Sequence, residues 1–209
     1  MWISAYNSAE FGVMETEFPN FLRENRFNIA FRLHFTHWRN VVMNLWFYSF
    51  RQLDFEELLH VYEEDIRADG FKFYFNETTE QQLRLAERDF ADYLRCTFFS
   101  QKDAAYCVLQ DEGQYICAAR LEEYENGYLL SALATRPGYR RMGNGKRFLS
   151  ALLTHCAGEG KVPIYSHVSN KNNASMGLHL QCGFRIIKDT AKYLDGSVRA
   201  DGKTLIYEK

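Results

Sequence analysis

The chain has 209 residues, of which 46% are hydrophobic and 25% charged, the composition of an ordinary globular protein with one sizeable core. A formal net charge of −2 argues against a nucleic-acid binder held by bulk electrostatics, and no stretch is apolar for long enough to span a membrane. The five cysteines are scattered without a C-x-x-C pair, which predicts free thiols and no metal site. Since nothing resembles a signal peptide, we expect a cytoplasmic protein.

The N-terminal segment differs in pattern from the rest of the chain. Residues 27–35 alternate apolar with polar or small residues, as a strand does. Two interpretations stay open: the segment supplies an extra strand, or residues 1–43 form a loosely ordered extension. We therefore predict one domain over residues 44–209, preceded by an N-terminal extension.

Two helices are predicted after a strand over residues 45–53. Asp54, followed three residues later by Glu57, has the pattern of a capping box, and an apolar face continues from there to Ile66. Thr79 with Gln82 predicts the start of the second helix. The connection between the helices contains FKFYF (residues 71–75), which either lines an apolar pocket or packs on the sheet, with packing favoured.

The second half of the chain alternates strands with helices. Three strands near residues 104–110, 114–123 and 127–135 are joined by two hairpin-like turns. There follow a helix from about residue 145, a strand over 162–168, a helix over roughly 173–182 and two closing strands, FRIIKD and TLIYEK. This order predicts an α+β fold in which helices flank a mixed sheet.

A basic, glycine-spaced loop follows the strand that ends at Thr135. The loop leads directly into a helix, whose N-terminus offers unpaired N–H groups and a partial positive charge to a phosphate. A Walker loop is excluded because Arg140 occupies its first glycine position, and a dinucleotide fingerprint is excluded because Phe148 occupies its third. Glycine at 143 and 145 would let a bulky pyrophosphate approach the backbone.

The pattern that fits this loop is R-x-x-G-x-G, at residues 140–145, which resembles the acyl-CoA loop of the GNAT superfamily of N-acyltransferases. A second segment, NNASMGLHLQCGF (residues 172–184), supports the resemblance. Members of the superfamily carry an Asn, a small residue, a Tyr or His and then Gly-Phe on the helix after the fifth strand. Here these residues are Asn172, Ser175, His179, Gly183 and Phe184.

The resemblance implies a mostly antiparallel central sheet with a V-shaped splay between strands four and five, into which acetyl-CoA fits as co-substrate. The backbone of three residues at the end of strand four would pair with the pantetheine arm: Leu133, Ala134 and Thr135. Backbone N–H groups of the loop would hold the pyrophosphate: Arg140, Arg141, Met142, Gly143, Asn144, Gly145 and Lys146. The side chain of Asn172 would reach the pantetheine, and Ser175 would line the same groove.

Direct attack of an amine on the thioester requires a base, an oxyanion donor and a proton for the leaving thiolate. His179 stands where the superfamily most often has a tyrosine proton donor, so either it donates that proton or it only packs and hydrogen-bonds nearby. The backbone N–H of Ala134 or Thr135 would serve the oxyanion. Glu123 is the candidate base, with Glu122 an equal alternative.

Two further residues have weaker claims on the site: His167 beside the slot as base, and Tyr193 at the border of the acceptor pocket.

The predicted function is acetyl transfer from acetyl-CoA to the primary amine of a small molecule. Two alternatives stay open: acetylation of a protein N-terminus or lysine, and an acyl-CoA-binding module without turnover. No nucleic-acid or membrane partner is expected. Homodimers are common among similar proteins.

Overall fold

A computed structural model describes residues 43–192 and 196–209, so the predicted strand over residues 27–35 and Tyr193 lie outside the described residues. The strands are β1 (Met43–Phe47), β2 (Ala105–Asp111), β3 (Gln114–Tyr124), β4 (Gly127–Thr135), β5 (Ile164–Ser169), β6 (Arg185–Lys188), β7 (Ala191–Lys192), β8 (Val198–Arg199) and β9 (Gly202–Tyr207). The helices are α1 (Phe55–Val61), α2 (Glu63–Phe73), α3 (Thr79–Tyr93), α4 (Asn144–Gly158) and α5 (Asn173–Gln181).

Seven strands form one sheet in the order β1-β2-β3-β4-β5-β9-β6. Every neighbouring pair is antiparallel except β4 and β5, which run parallel. The predicted α+β class, with a mostly antiparallel sheet flanked by helices, is therefore confirmed. The short strands β7 and β8 form a separate hairpin that the sequence pattern does not predict.

The first predicted strand and helix are both shorter than expected. β1 ends at Phe47 and a 3₁₀ turn occupies Phe50–Gln52. Asp54 caps α1 by accepting a hydrogen bond from the N–H of Glu57 (3.1 Å), but the predicted capping box is incomplete, because the Glu57 carboxylate accepts from the N–H of Tyr115 instead (3.0 Å). The helix does not continue to Ile66, because it breaks at Tyr62, which ends α1 and precedes α2.

The start of α3 is one residue earlier than predicted. Thr78, not Thr79, is the N-cap, and the side chains and backbones of Thr78 and Gln81 form the reciprocal capping box. The aromatic segment before it also differs from expectation. Phe71 and Phe75 are 73% and 71% exposed, so this segment does not pack on the sheet as a unit.

Two hydrophobic clusters cover opposite faces of the sheet. On one face, α4 packs through Phe148, Leu149, Leu152, Leu153 and Cys156. On the other, α1, α2 and α3 pack on Tyr106, Val108 and Ala118. The described residues include no helix that is both long and apolar enough to cross a membrane.

Candidate active site

Strands β4 and β5 separate halfway along their length. Their parallel pairing joins Tyr128 to Ile164, Leu129 to Tyr165 and Leu130 to Ser166, and then stops. β4 nevertheless continues to Thr135 and β5 to Ser169. The predicted V-shaped gap is therefore present, with its apex at Leu130 and Ser166.

A β-bulge lies in β4 immediately beyond this apex. Ser131 pairs with Arg120 and Ala134 with Ala118, which leaves two residues of β4 opposite one of β3. Ala132, inside the bulge, has a φ of +54°, a left-handed conformation that alanine seldom adopts. The sequence gives no sign of this bulge.

The bulge determines which backbone groups point into the gap. The N–H of Arg136 donates to Ile116 of β3 (2.9 Å), so strand alternation turns Thr135 and Leu133 away from β3 and towards the gap. The carbonyl of Thr135 accepts from the Arg140 side chain (2.9 Å), consistent with that direction. Ala134 faces β3, so the geometry favours Leu133 and Thr135 as donors at the gap.

Helix α4 begins at the open end of the gap. Its N-cap is Gly143, and Arg147 is the first residue whose N–H bonds back into this turn, to the carbonyl of Gly143 (3.0 Å). The N–H groups of Asn144, Gly145 and Lys146 consequently have no acceptor within the helix. This arrangement suits an anionic group.

The two glycines of the loop differ in backbone conformation and surroundings. Gly143 has a φ of +80°, and a Cβ there would meet no described atom within 4 Å. A Cβ at Gly145 would instead meet Thr135 Oγ1 and Leu178 Cδ2, each at 3.4 Å. Gly143 thus provides the left-handed turn, and Gly145 lies where α4 approaches β4 and α5.

Two arginines next to the loop form ion pairs with α1 and α2, which cover the face of the sheet opposite α4. Arg140 donates to Glu64 of α2 (2.7 Å), and Arg136 donates to Glu57 of α1 (3.0 Å). Arg140, in the turn between β4 and α4, is half-exposed in this ion pair. Met142 is exposed in the same loop.

Asn172 and Ser175 lie at the start of α5. The side-chain oxygen of Asn172 caps the helix by accepting from the N–H of Ser175 (3.0 Å). A contact between Asn172 and pantetheine would therefore use the amide nitrogen.

His179 lies on α5 and is 1% exposed, packed edge-on against Phe184. Its Nδ1 is 2.8 Å from the carbonyl of Ser175, which can only accept, so Nδ1 carries the proton. Nε2 then accepts from the hydroxyl of Ser166 (3.0 Å). Burial lowers the pKa of His179, so its neutral form is favoured. The geometry favours a positioning role over proton donation by an imidazolium.

Glu122 and Glu123 point to opposite faces of β3. Glu123 is half-exposed on the α4 face and bonds to Lys102 (3.2 Å). Glu122, 2% exposed, faces the α1–α3 side, where Ser131 donates to its Oε1 (3.2 Å). Its Oε2 is buried with no hydrogen-bond partner in the part of the chain that the structure describes. Because Ser131 adjoins the apex, Glu122 is better placed than Glu123 to serve as base.

His167 lies on β5 against the ring of Tyr124, with centroids 5.4 Å apart. Burial lowers the pKa of His167 to about 4. The neutral imidazole is therefore the favoured form of His167. Among residues 43–192 and 196–209, no cluster of His, Cys, Asp and Glu could hold a metal ion.

These features define an acyltransferase-type site: a strand splay, a left-handed glycine and an open helix N-terminus. The family model "Acetyltransferase (GNAT) family" matches residues 71–184, more than half of the chain. The protein therefore belongs to the GNAT acetyltransferase family. The predicted family, the enzyme class and the use of acetyl-CoA as acetyl donor, which the family shares, are confirmed.

Solved structures show the same fold at low sequence identity. The IAA acetyltransferase from Bacillus cereus ATCC 14579 is 17% identical with a TM-score of 0.53, and the match covers 81% of this chain and 100% of that one. The PaiA N-acetyltransferase from Thermoplasma acidophilum, in complex with coenzyme A, is 17% identical with a TM-score of 0.55, and the match covers 80% of this chain and 99% of that one. The ribosomal-protein-S18-alanine N-acetyltransferase from Escherichia coli is 21% identical with a TM-score of 0.52, and the match covers 79% of this chain and 94% of that one. No curated protein matches the sequence.

Proposed function

We propose that the protein acetylates the primary amine of a small molecule, with acetyl-CoA as donor and by direct attack of the amine on the thioester. The observation that carries the proposal is a single groove. The gap between β4 and β5 runs from the open N-terminus of α4 to an apex beside a buried carboxylate, Glu122. The coenzyme A bound to the PaiA enzyme of the same fold supports this use of the groove.

The cofactor would lie along β4. Leu133 and Thr135 would pair their backbones with the pantetheine arm, with Asn172 and Ser175 on the far wall. The pyrophosphate would meet the N–H groups of the loop over residues 140–146, at the positive end of α4. Arg140 would then exchange its contact with Glu64 for the phosphate, to which a guanidinium is well matched.

The amine would approach from the α1–α3 face. Glu122 would take its proton through Oε2, either directly or through one water, while Ser131 holds Oε1. As the nitrogen–carbon bond forms, the N–H of Leu133 would stabilise the oxyanion. The carbon–sulfur bond then breaks, and the leaving sulfur takes up the second proton that the nitrogen loses. Because a thiol has a pKa of about 8.5, this departure needs no strong acid, in keeping with a neutral His179.

The burial of Glu122 favours a slender acceptor, because the amine must pass below the protein surface to reach its carboxylate. A lysine side chain or a protein N-terminus is slender too, and one protein of this fold acetylates a ribosomal protein. Protein acetylation is therefore the second candidate.

The test measures release of the CoA thiol with a panel of small primary amines and, in parallel, with peptides that carry a free N-terminus or a lysine. Glu122→Gln, which keeps the shape of the side chain, is compared with Glu123→Gln. We expect turnover with a small amine, lost by at least a factor of ten only in Glu122→Gln. Turnover with peptides alone would replace the proposal by protein acetylation. Saturable acetyl-CoA binding without any turnover would indicate a binding module.

A further inference from the structure

The left-handed residue of the β4 bulge is held from the opposite layer by one side chain. Tyr62, at the break between α1 and α2, donates its hydroxyl proton to the carbonyl of Ala132 (2.7 Å). Tyr62 is 1% exposed, and Phe90 and Tyr106 pack edge-on against its ring. The ring is therefore fixed, and so is the direction of the bond.

Ala132 would not adopt this conformation readily without such a bond. A left-handed backbone costs an L-residue free energy, and alanine has no polar side chain to compensate locally. A carbonyl in a bulge also loses its ladder partner, and burial makes an unpaired carbonyl costly. The Tyr62 hydroxyl supplies that partner, so it favours the left-handed form over an extended one.

The conformation of Ala132 determines where the next N–H points. The bulge brings Ser131 and Ala132 to the same face and restores regular alternation from Leu133 onward. If Ala132 became extended, the register would slip by one residue and Leu133 would turn from the gap towards β3. Ser131 would move from its contact with Glu122 in the same step.

We propose that Tyr62 is a positioning residue for the acetyl-transfer step, which acts through its hydrogen bond to Ala132 to aim the Leu133 N–H at the thioester oxygen. The proposal rests on the proposed function, since it assumes that the thioester lies at the apex of the gap. Tyr62 itself touches neither substrate. Its effect falls mainly on kcat, because Leu133 is one of several proposed cofactor contacts and the pyrophosphate would lie at the distant α4 loop.

The experiment compares wild type, Tyr62→Phe, Ala132→Gly and the double variant Tyr62→Phe/Ala132→Gly. Glycine adopts the left-handed conformation without strain, so it removes the need for the hydroxyl. We expect Tyr62→Phe to lose at least tenfold in kcat while its Kd for CoA, measured by calorimetry, stays within twofold. The double variant should remain within threefold of its Ala132→Gly parent. Tyr165→Phe, which removes a hydroxyl bonded to Asn126 away from the bulge, serves as the matched control.

A kcat of Tyr62→Phe within twofold of wild type would overturn the proposal. So would an equal loss of kcat in both comparisons, from wild type to Tyr62→Phe and from Ala132→Gly to the double variant. If Tyr62→Phe does not fold, the comparison of Ala132→Gly with Tyr62→Phe/Ala132→Gly decides alone. The carbonyl ¹³C resonance of Ala132 provides a readout that needs no turnover. An unchanged resonance in Tyr62→Phe refutes the hydrogen bond, whereas a wild type without activity on any amine refutes the proposed function instead.

Discussion

The charge at the N-cap of α4 offers the sharpest test of where the cofactor pyrophosphate lies. Gly143 has a left-handed backbone and open space around its missing Cβ, so a side chain fits there sterically. Asp and Asn have the same shape, and both tolerate a left-handed conformation better than other residues. Gly143→Asp and Gly143→Asn therefore share the same backbone strain and differ by one negative charge.

The expected size of the charge effect follows from Coulomb's law. A pyrophosphate with about two negative charges at roughly 6 Å from the Asp carboxylate is repelled by about 1.4 kcal/mol at the dielectric constant of water. This energy weakens binding about tenfold. At a cofactor concentration of about a hundredfold the wild-type Kd, the free energy of unfolding rises by about 2.7 kcal/mol in wild type and by about 1.4 kcal/mol in Gly143→Asp.

Differential scanning fluorimetry with and without CoA measures these gains. For a domain of this size, these gains correspond to a rise in the thermal midpoint of roughly 5–10 °C in wild type and roughly half that in Gly143→Asp. Gly143→Asn should keep most of the wild-type rise, and acetyl-pantetheine, which lacks the pyrophosphate, should stabilise both variants equally. Equal rises with CoA in the Asp and Asn variants would refute the assignment of the pyrophosphate to this helix N-terminus.

The remaining predictions concern the base, the sheet and the buried histidines. In Glu122→Gln, kcat should fall at least tenfold while the Kd for CoA, measured by calorimetry, stays within twofold; a parallel loss of affinity would contradict the role of base. In Gly127→Ala, the new Cβ would lie 2.1 Å from the carbonyl oxygen of Pro163, so we expect a loss of more than about 2 kcal/mol in urea unfolding; an unchanged midpoint would show that the strands separate freely here. The pKa of His167 is lowered by burial to about 4 and that of His179 is also lowered, so the unfolded state binds protons more readily and stability falls as pH decreases from about 6.5 towards 4. His167→Gln should show a smaller loss of midpoint over this range than wild type.

The local structure on the proposed cofactor side of the site could be predicted from sequence because each of its features leaves a residue-level signal. A left-handed N-cap requires glycine, which stands at 143, and a capped helix start requires a short polar residue, which stands at 172. The start of α3 shows where such signals become ambiguous. Thr78 and Thr79 are adjacent, and each is followed three residues later by a glutamine, so two capping boxes compete and tertiary packing selects the first.

The acceptor side could not be predicted because its decisive features have no such signal. Ala132 is left-handed although alanine disfavours that conformation, and the carbonyl of Ala132 is bonded by a tyrosine seventy residues earlier in the chain, which no local pattern reveals. Glu122 and Glu123 are consecutive carboxylates, and which of them faces the gap depends on the register of β3 against β4. Strand parity assigns them to opposite faces, but the sequence does not say which face the acceptor uses.

The features that could be predicted and those that could not lie on different sides of the site. This difference bears on how the acceptor is selected. The family match covers residues 71–184, which include the gap, the α4 loop and α5. Tyr62, α1 and most of α2 lie outside that range, on the face from which we propose that the amine approaches. The residues shared with the family would therefore provide the proposed acetyl donor site, and family membership alone does not determine the acceptor. Residues 43–70 combine the tether to the β4 bulge with the ion pairs to Arg136 and Arg140, so changes there would alter acceptor choice and catalytic geometry together.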